Sequence, residues 1–233
     1  MADKHLSTQF DTDLNAVSSR LMEMGGLVES QMRGAIEALT TFSAEASDRV
    51  ITTEARVNSM EIQIDHDLTS IIGRRQPTAR DLRLLMAISR VTANLERIGD
   101  EANKIARMVK SIIASGAMRS LPSSELRVAL ELASGLLRKS LDGFARLDTS
   151  TALDILKEDD AIDREFNGFI RKLVTYMMED PRTISPSLDL LFVAKALERI
   201  GDHAKNIAES IIYIVEGTDV RHISIDEIES ALR

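Results

Sequence analysis

From Phe10 to Phe42, apolar residues recur every three or four positions, at Phe10, Leu14, Val17, Leu21, Met24, Val28, Ala35, Leu39 and Phe42. That period belongs to one face of a helix and predicts a single amphipathic helix roughly 50 Å long. Gly25-Gly26 is the one pair that could bend it, and no cluster of breakers stops it. A second helix is predicted over about 48–72, with Val50, Val57, Ile64, Leu68 and Ile71 as its apolar stripe. Two acids, Glu54 and Glu61, fall within that stripe instead of opposite it. Arg74-Arg75-Gln76-Pro77 reads as a turn, with Pro at the threshold of a new helix. The third helix, over about 78–115, carries Leu85, Ile88, Leu95, Gly99, Ala102, Val109 and Ile113.

A stretch from Ser115-Gly116 to Leu121-Pro122-Ser123 has the composition of a linker. The fourth helix follows it (Leu126, Leu130, Ala133, Leu137, Leu141, Phe144), with Ser123 or Ser124 as N-cap. The fifth runs over about 150–178, with Ile155, Ile162, Phe166, Phe169, Leu173 and Met177 on its buried face, and Asp180-Pro181-Arg182 turns the chain. The sixth spans about 187–216 and stops at Gly217. Ser224-Ile225-Asp226-Glu227 then has the form of a capping box for one last short helix.

The halves repeat one another. Leu95-Glu96-Arg97-Ile98-Gly99-Asp100-Glu101-Ala102-Asn103-Lys104-Ile105-Ala106 returns as Leu197-Glu198-Arg199-Ile200-Gly201-Asp202-His203-Ala204-Lys205-Asn206-Ile207-Ala208. Nine of the twelve positions are identical, where unrelated segments would share about one. The fold expected is therefore all-α: a tandem duplication of an antiparallel three-helix bundle. The first copy covers 1–117, the second 122–217, and 218–233 form a tail. Aligning helix five with helix two sets Glu54, Val57 and Asn58 against Asp159, Ile162 and Asp163. So Asp159, like Glu54, stands where its helix wants hydrocarbon.

Within each copy of the repeated segment, Glu and Asp are four residues apart and share a helix face, where like charges repel by a few tenths of a kcal/mol. Gly99 and Gly201 lie on the apolar side, and a mid-helix Gly costs about 1 kcal/mol against Ala. The recurrence predicts that a neighbouring helix passes close to both. The carboxylates have a bland reading as a solvated acidic face. Acids intruding on the core stripes in both halves weaken it, since a carboxylate removed from water must be paired, hydrogen-bonded or neutralised. Three outcomes follow: a salt bridge within the bundle to Arg97 or Arg199, a cation site, or acid–base chemistry. Oxygen ligands suit Mg, Mn, Ca or Fe and disfavour Zn in a closed structural site. A di-iron carboxylate enzyme would need Glu-x-x-His. The residues three before His66, His203 and His222 are Gln63, Ile200 and Asp219, so that motif is missing. His203 points away from the Glu198/Asp202 pair and reads as an exposed or bridging residue. No glycine-rich phosphate loop or nucleophile motif is present.

Composition narrows the rest. The 233 residues are 44% hydrophobic, 28% charged and 3% aromatic, with no Trp and four Pro, as in a helical globular protein. A formal net charge of −8 argues against general nucleic-acid binding, which needs a basic face. Cysteine is absent, which removes disulfides and thiolate metal sites and fits a cytoplasmic location. The polar start of the chain has no signal-peptide core behind it, and no apolar run approaches the ~20 residues of a membrane span.

The doubled Leu-Glu-Arg-Ile-Gly-Asp, the run Arg75-Gln76-Pro77-Thr78-Ala79-Arg80-Asp81-Leu82-Arg83, Leu173-Val174-Thr175-Tyr176-Met177 and the closing Val220-Arg221-His222 together resemble the PhoU family over nearly the whole chain. The resemblance implies a cytoplasmic, non-enzymatic accessory protein of phosphate-specific transport, acting as a homodimer. Its partners would be the ATPase subunit of the phosphate ABC transporter and a phosphate-sensing histidine kinase, with the phosphate-starvation response held off when phosphate is plentiful. It also implies metal ions (Mg, Mn, Fe or Zn) on Glu/Asp-x-x-x-Asp motifs. These are Glu96/Asp100, Glu198/Asp202 and Asp159/Asp163. The fourth motif departs here, because Glu54 is followed by Asn58 and not a second acid. A weaker or differently composed site is expected there, with Glu61 as the substitute ligand.

Overall fold

A computed structural model describes residues 8–116, 122 and 124–232; within its helices, the side chains of residues 8, 124–125, 159–163, 165 and 231–232 fall outside the description. Six long helices follow in order: α1 (Thr8–Thr41), α2 (Ala44–Arg75), α3 (Ala79–Ser115), α4 (Ser124–Arg146), α5 (Thr149–Glu179) and α6 (Ile184–Glu216). The short α7 (Ile225–Leu232) closes the chain, and a 3-10 turn, Pro181–Thr183, joins α5 to α6. None of the described helices is long and apolar enough to cross a membrane.

Where the helix ends differ from the expected ones, caps explain it. The Ser43 hydroxyl accepts from the Ala46 N–H at 3.1 Å and starts α2 four residues before Asp48. Asp148 does the same for α5, taking the N–H groups of Ser150 and Thr151 at 3.0 and 3.2 Å. Those bonds to its ionised form hold the Asp148 carboxyl at a pKa of about 2. Ser123 and the Ser124 side chain lie outside the described residues. Gly217, at φ 77°, ends α6 as expected. The capping box forms at α7: the Ser224 N–H donates to Glu227 Oε2 at 3.1 Å, and the Glu227 N–H to Ser224 Oγ at 3.4 Å.

α1 and α2 run antiparallel, as cross-helix ion pairs show. Asp13 meets Arg75, Arg20 meets Asp67 and Glu37 meets Arg49, partner numbers falling as the first rises. α3 and α6 make the most extensive contact, also antiparallel, and α1 packs on α4. The two trios therefore share one continuous core, with Leu21, Ile64, Leu95, Ile98, Leu197 and Ile200 each 1% exposed or less. α1 runs unbroken through Gly25-Gly26. A Cβ at Gly25 would stand 2.7 Å from Leu141 Cδ2, so that glycine serves the approach of α4. At Gly99 a Cβ would lie 3.0 Å from Gln31 Oε1 of α1 and 3.5 Å from Val57 of α2. The close neighbour expected from the sequence is present there.

Because Leu95 is fully enclosed where α3 meets its neighbours, Leu95→Ala should lower the unfolding free energy by about 2–5 kcal/mol, read as a drop in the urea midpoint with little change in slope.

Candidate metal-binding faces and the seam between the halves

Helical spacing sets Glu54 and Glu61 one turn to either side of buried Val57 on α2. On α3, Glu96 and Asp100 flank the buried Ile98-Gly99 step. Packing α2 on α3 joins the two pairs into one acidic face, on which Glu54, Glu61 and Glu96 are partly buried and Asp100 is exposed. Burial is the largest cause that pushes the Glu54 carboxyl above the ordinary glutamate range. The charge of Asp100, within hydrogen-bonding reach, adds to it, and Arg107 opposes. Glu61 is raised by burial, then by Asp65 and Asp100, against Arg97. Glu96 is raised by burial, then by Asp100 and Glu61, again against Arg97. Glu54 Oε2 is buried with no hydrogen-bond partner among the described residues. The structure thus brings together Glu54, Glu61, Glu96 and Asp100. Asn58 of the departed motif lies on the same helix between the two glutamates.

The second half is less complete. Glu198 is partly buried and receives Lys195 Nζ at 2.5 Å from one turn earlier. Asp202 is exposed and engaged by a neighbouring group. Asp159 and Asp163 lie along α5, but their side chains fall outside the described residues. Among the described residues, no three acidic or imidazole side chains already point at a common centre. What the first face offers a cation is therefore its donor chemistry and an orphaned buried oxygen.

Among the described residues, neither repeated arginine forms an ion pair with the Glu of its own pair. Arg199 crosses from α6 to α3 and donates from Nη1 to Glu101 Oε1 at 2.9 Å. Glu101 is 8% exposed and also lies 3.5 Å from Lys104 Nζ. Sequence reasoning passed over Glu101 because it stands beside Asp100 in an acidic run; the signal was its replacement by His203 in the second copy. His203 does bridge helices. Its Nδ1–H donates to Asn94 Oδ1 at 3.0 Å, and Asn206 Nδ2 donates to the same oxygen at 3.1 Å. Asn94 Nδ2 in turn donates to the Arg90 carbonyl at 2.8 Å. Burial first, then the nearby Arg97 charge, lowers the His203 pKa.

Two stretches distant in sequence meet at the far end of α6. Arg90 lies 3.6 Å from Asp219 and 4.8 Å from the Tyr213 ring centre, and Arg221 pairs with Asp219 at 2.6 Å. The Arg83 guanidinium rests against Gly217. The start of α3 and the Val220-Arg221-His222 tail thus form one basic, ion-paired junction.

Known proteins share this sequence and this architecture. The PhoU domain model matches residues 21–109 and again 126–211. A Burkholderia protein named as a phosphate-specific transport system accessory protein PhoU homolog is 50% identical, over 98% of this chain and 97% of its own. The Escherichia coli K12 phosphate-specific transport system accessory protein PhoU is 44% identical, over 99% and 95%. The crystal structure of PhoU from Pseudomonas aeruginosa superposes with a TM-score of 0.87 at 43% identity, covering 90% of this chain and all (100%) of that one. The PhoU structure from Streptococcus pneumoniae gives 0.83 at 25% identity, covering 91% and 99%. Two matches of one domain model, near-complete coverage and the shared fold agree: the chain belongs to the PhoU family.

Proposed function

We propose that this protein is a cytoplasmic, non-catalytic regulator of phosphate uptake that restrains the phosphate-starvation response. It would relay the state of the phosphate ABC transporter, through that transporter's ATPase subunit, to a phosphate-sensing histidine kinase. Support for the accessory role comes from the relatives, which are named for the phosphate-specific transport system. The acidic face of α2 and α3 supports a working mechanism. Carboxylates raised by burial and by one another, with Glu54 Oε2 lacking a partner, are poised to be neutralised by a cation.

Glu54, Glu61, Glu96 and Asp100 would hold a hard divalent or trivalent ion in the first half; Glu198, Asp202, Asp159 and Asp163 are the corresponding set in the second. A bound ion inverts the local charge and turns an acidic patch into a docking point for an anionic partner. A second reading, in which the helices bind partners or a second copy without metal, has its own observation. Ile184, Leu188 and Phe192, spaced four apart on α6, are 43%, 43% and 48% exposed and form an apolar stripe.

Replacing Asp100 and Asp202 together by Asn should lower the metal bound per chain, measured by elemental analysis after purification without a chelating tag; unchanged metal content refutes the cation sites. Capture of the ATPase subunit and the kinase in chelator, against capture with added Mn, separates the two readings. Binding that survives chelation favours the metal-free one.

The raised carboxyls also set a pH dependence. Over the window from about 4.3 up through their folded-state values, Glu54, Glu61 and Glu96 keep protons that the unfolded chain has already released. The unfolding free energy of metal-free protein should therefore fall as pH rises through that window. His203, lowered, works the other way between its folded value and about 6.5. Comparing Glu54→Gln with the parent in urea at pH 5 and pH 8, in chelator, isolates the contribution of the Glu54 carboxyl. The variant should gain stability relative to the parent at the higher pH.

A further inference from the structure

The seam between α3 and α6 follows a two-fold register: Glu101 meets Arg199, Asn94 meets His203 and Asn206, and Arg90 meets Tyr213. Partner numbers fall along α6 as they rise along α3. The pair equivalent to Glu101 with Arg199 is thus Arg97 facing position 203. Exact repetition would put a second carboxylate at 203 and give a second ion pair. The chain has His203 there, and its Nδ1–H is committed to Asn94. Among the described residues Arg97 forms no ion pair, and it is exposed. Its charge is nevertheless felt by His203 on one side and by Glu61 and Glu96 on the other. Arg199, by contrast, is held by Glu101, and the second face has Lys195 on Glu198.

We propose that His203, by standing where the repeat calls for a carboxylate, frees Arg97 to act as the built-in counter-charge of the first acidic face, where it competes with the divalent cation that face takes. The cation part rests on the reading given under Proposed function; the pairing part stands without it. Arg97 is then a positioning residue for charge on that face and no ligand. A duplicated protein with this one exchange has two faces tempered by different cations, and so of different affinity.

The test uses the full chain with D202N to silence the second face, and Mn2+ as probe. R97Q leaves an exposed position polar and should fold normally; it should tighten Mn2+ binding roughly threefold or more, as expected for removing one like charge near a divalent ion. H203E should do the same by drawing Arg97 across the seam. R56Q, which removes an exposed guanidinium paired with Glu23 of α1, should leave affinity unchanged. In chelator, H203E should raise the urea midpoint, and the gain should vanish when H203E is made in R97Q. Mn2+ affinity unmoved by R97Q overturns the counter-charge role. A H203E effect that persists without Arg97 overturns the pairing. Absence of Mn2+ binding in every variant, with the 97–203 coupling intact, removes the cation reading and leaves the pairing established.

Discussion

Two copies of one helix, packed antiparallel against each other, are the constraint from which the molecule follows. α3 and α6 each present an Ile-Gly step and small alanines to their neighbours, with Ile98, Ala102, Ile200 and Ala204 at 0% exposure. Small residues let helices approach closely, and close approach leaves little room at the edges of the contact for water. The Glu and Asp that share those turns are therefore held at the rim of a hydrocarbon seam. The pKa values of Glu54 and Glu96 are raised first by burial where that packing puts them, and second by repulsion from neighbouring carboxylates.

The helices themselves were legible in the sequence. Apolar spacing of three and four located all six long helices, and the capping box and Gly217 marked the last ends correctly. The start of α2 was misplaced because Ser43 caps from just outside the apolar pattern, where periodicity is silent. At the site, the intrusion of Glu54 and Glu61 on a core stripe was visible. The Arg199–Glu101 pair was not, since nothing within one helix says which face will meet its own duplicate. The packing role of Gly25 was hidden for the same reason. Its neighbour, Leu141, lies more than a hundred residues away, in the other half.

The positions at which the two repeated segments differ carry a further lesson. Only three of twelve differ: Glu101 against His203, Asn103 against Lys205, and Lys104 against Asn206. Nine shared residues supply the helix face, the acids and the close packing. The other three positions carry polar contacts: across the seam Glu101 takes Arg199, and His203 and Asn206 take Asn94, while within α3 Lys104 reaches Glu101 and Asn103 accepts from Arg107 at 3.2 Å. In a dimer of identical chains, every contact across the two-fold must occur twice. Fusing the copies into one chain lifts that requirement.

Divergence has used the freedom where it changes charge and not shape. An exchange at the apolar positions would open a cavity or overpack a shared core, at a few kcal/mol per residue. An exchange at the rim alters which cations and carboxylates pair, while the core is undisturbed. An ion pair with one exposed partner is weak evidence of stability, because solvent screens much of its attraction, but it still favours the register in which its two ends meet. With Glu101 and Arg199 retained as one such pair, the antiparallel register is set from a single side. The opposite side is then free to carry His203 in place of a carboxylate. The same backbone therefore carries its two copies of the Glu/Asp segment in unlike fields, which a symmetric dimer of half-length chains could not provide.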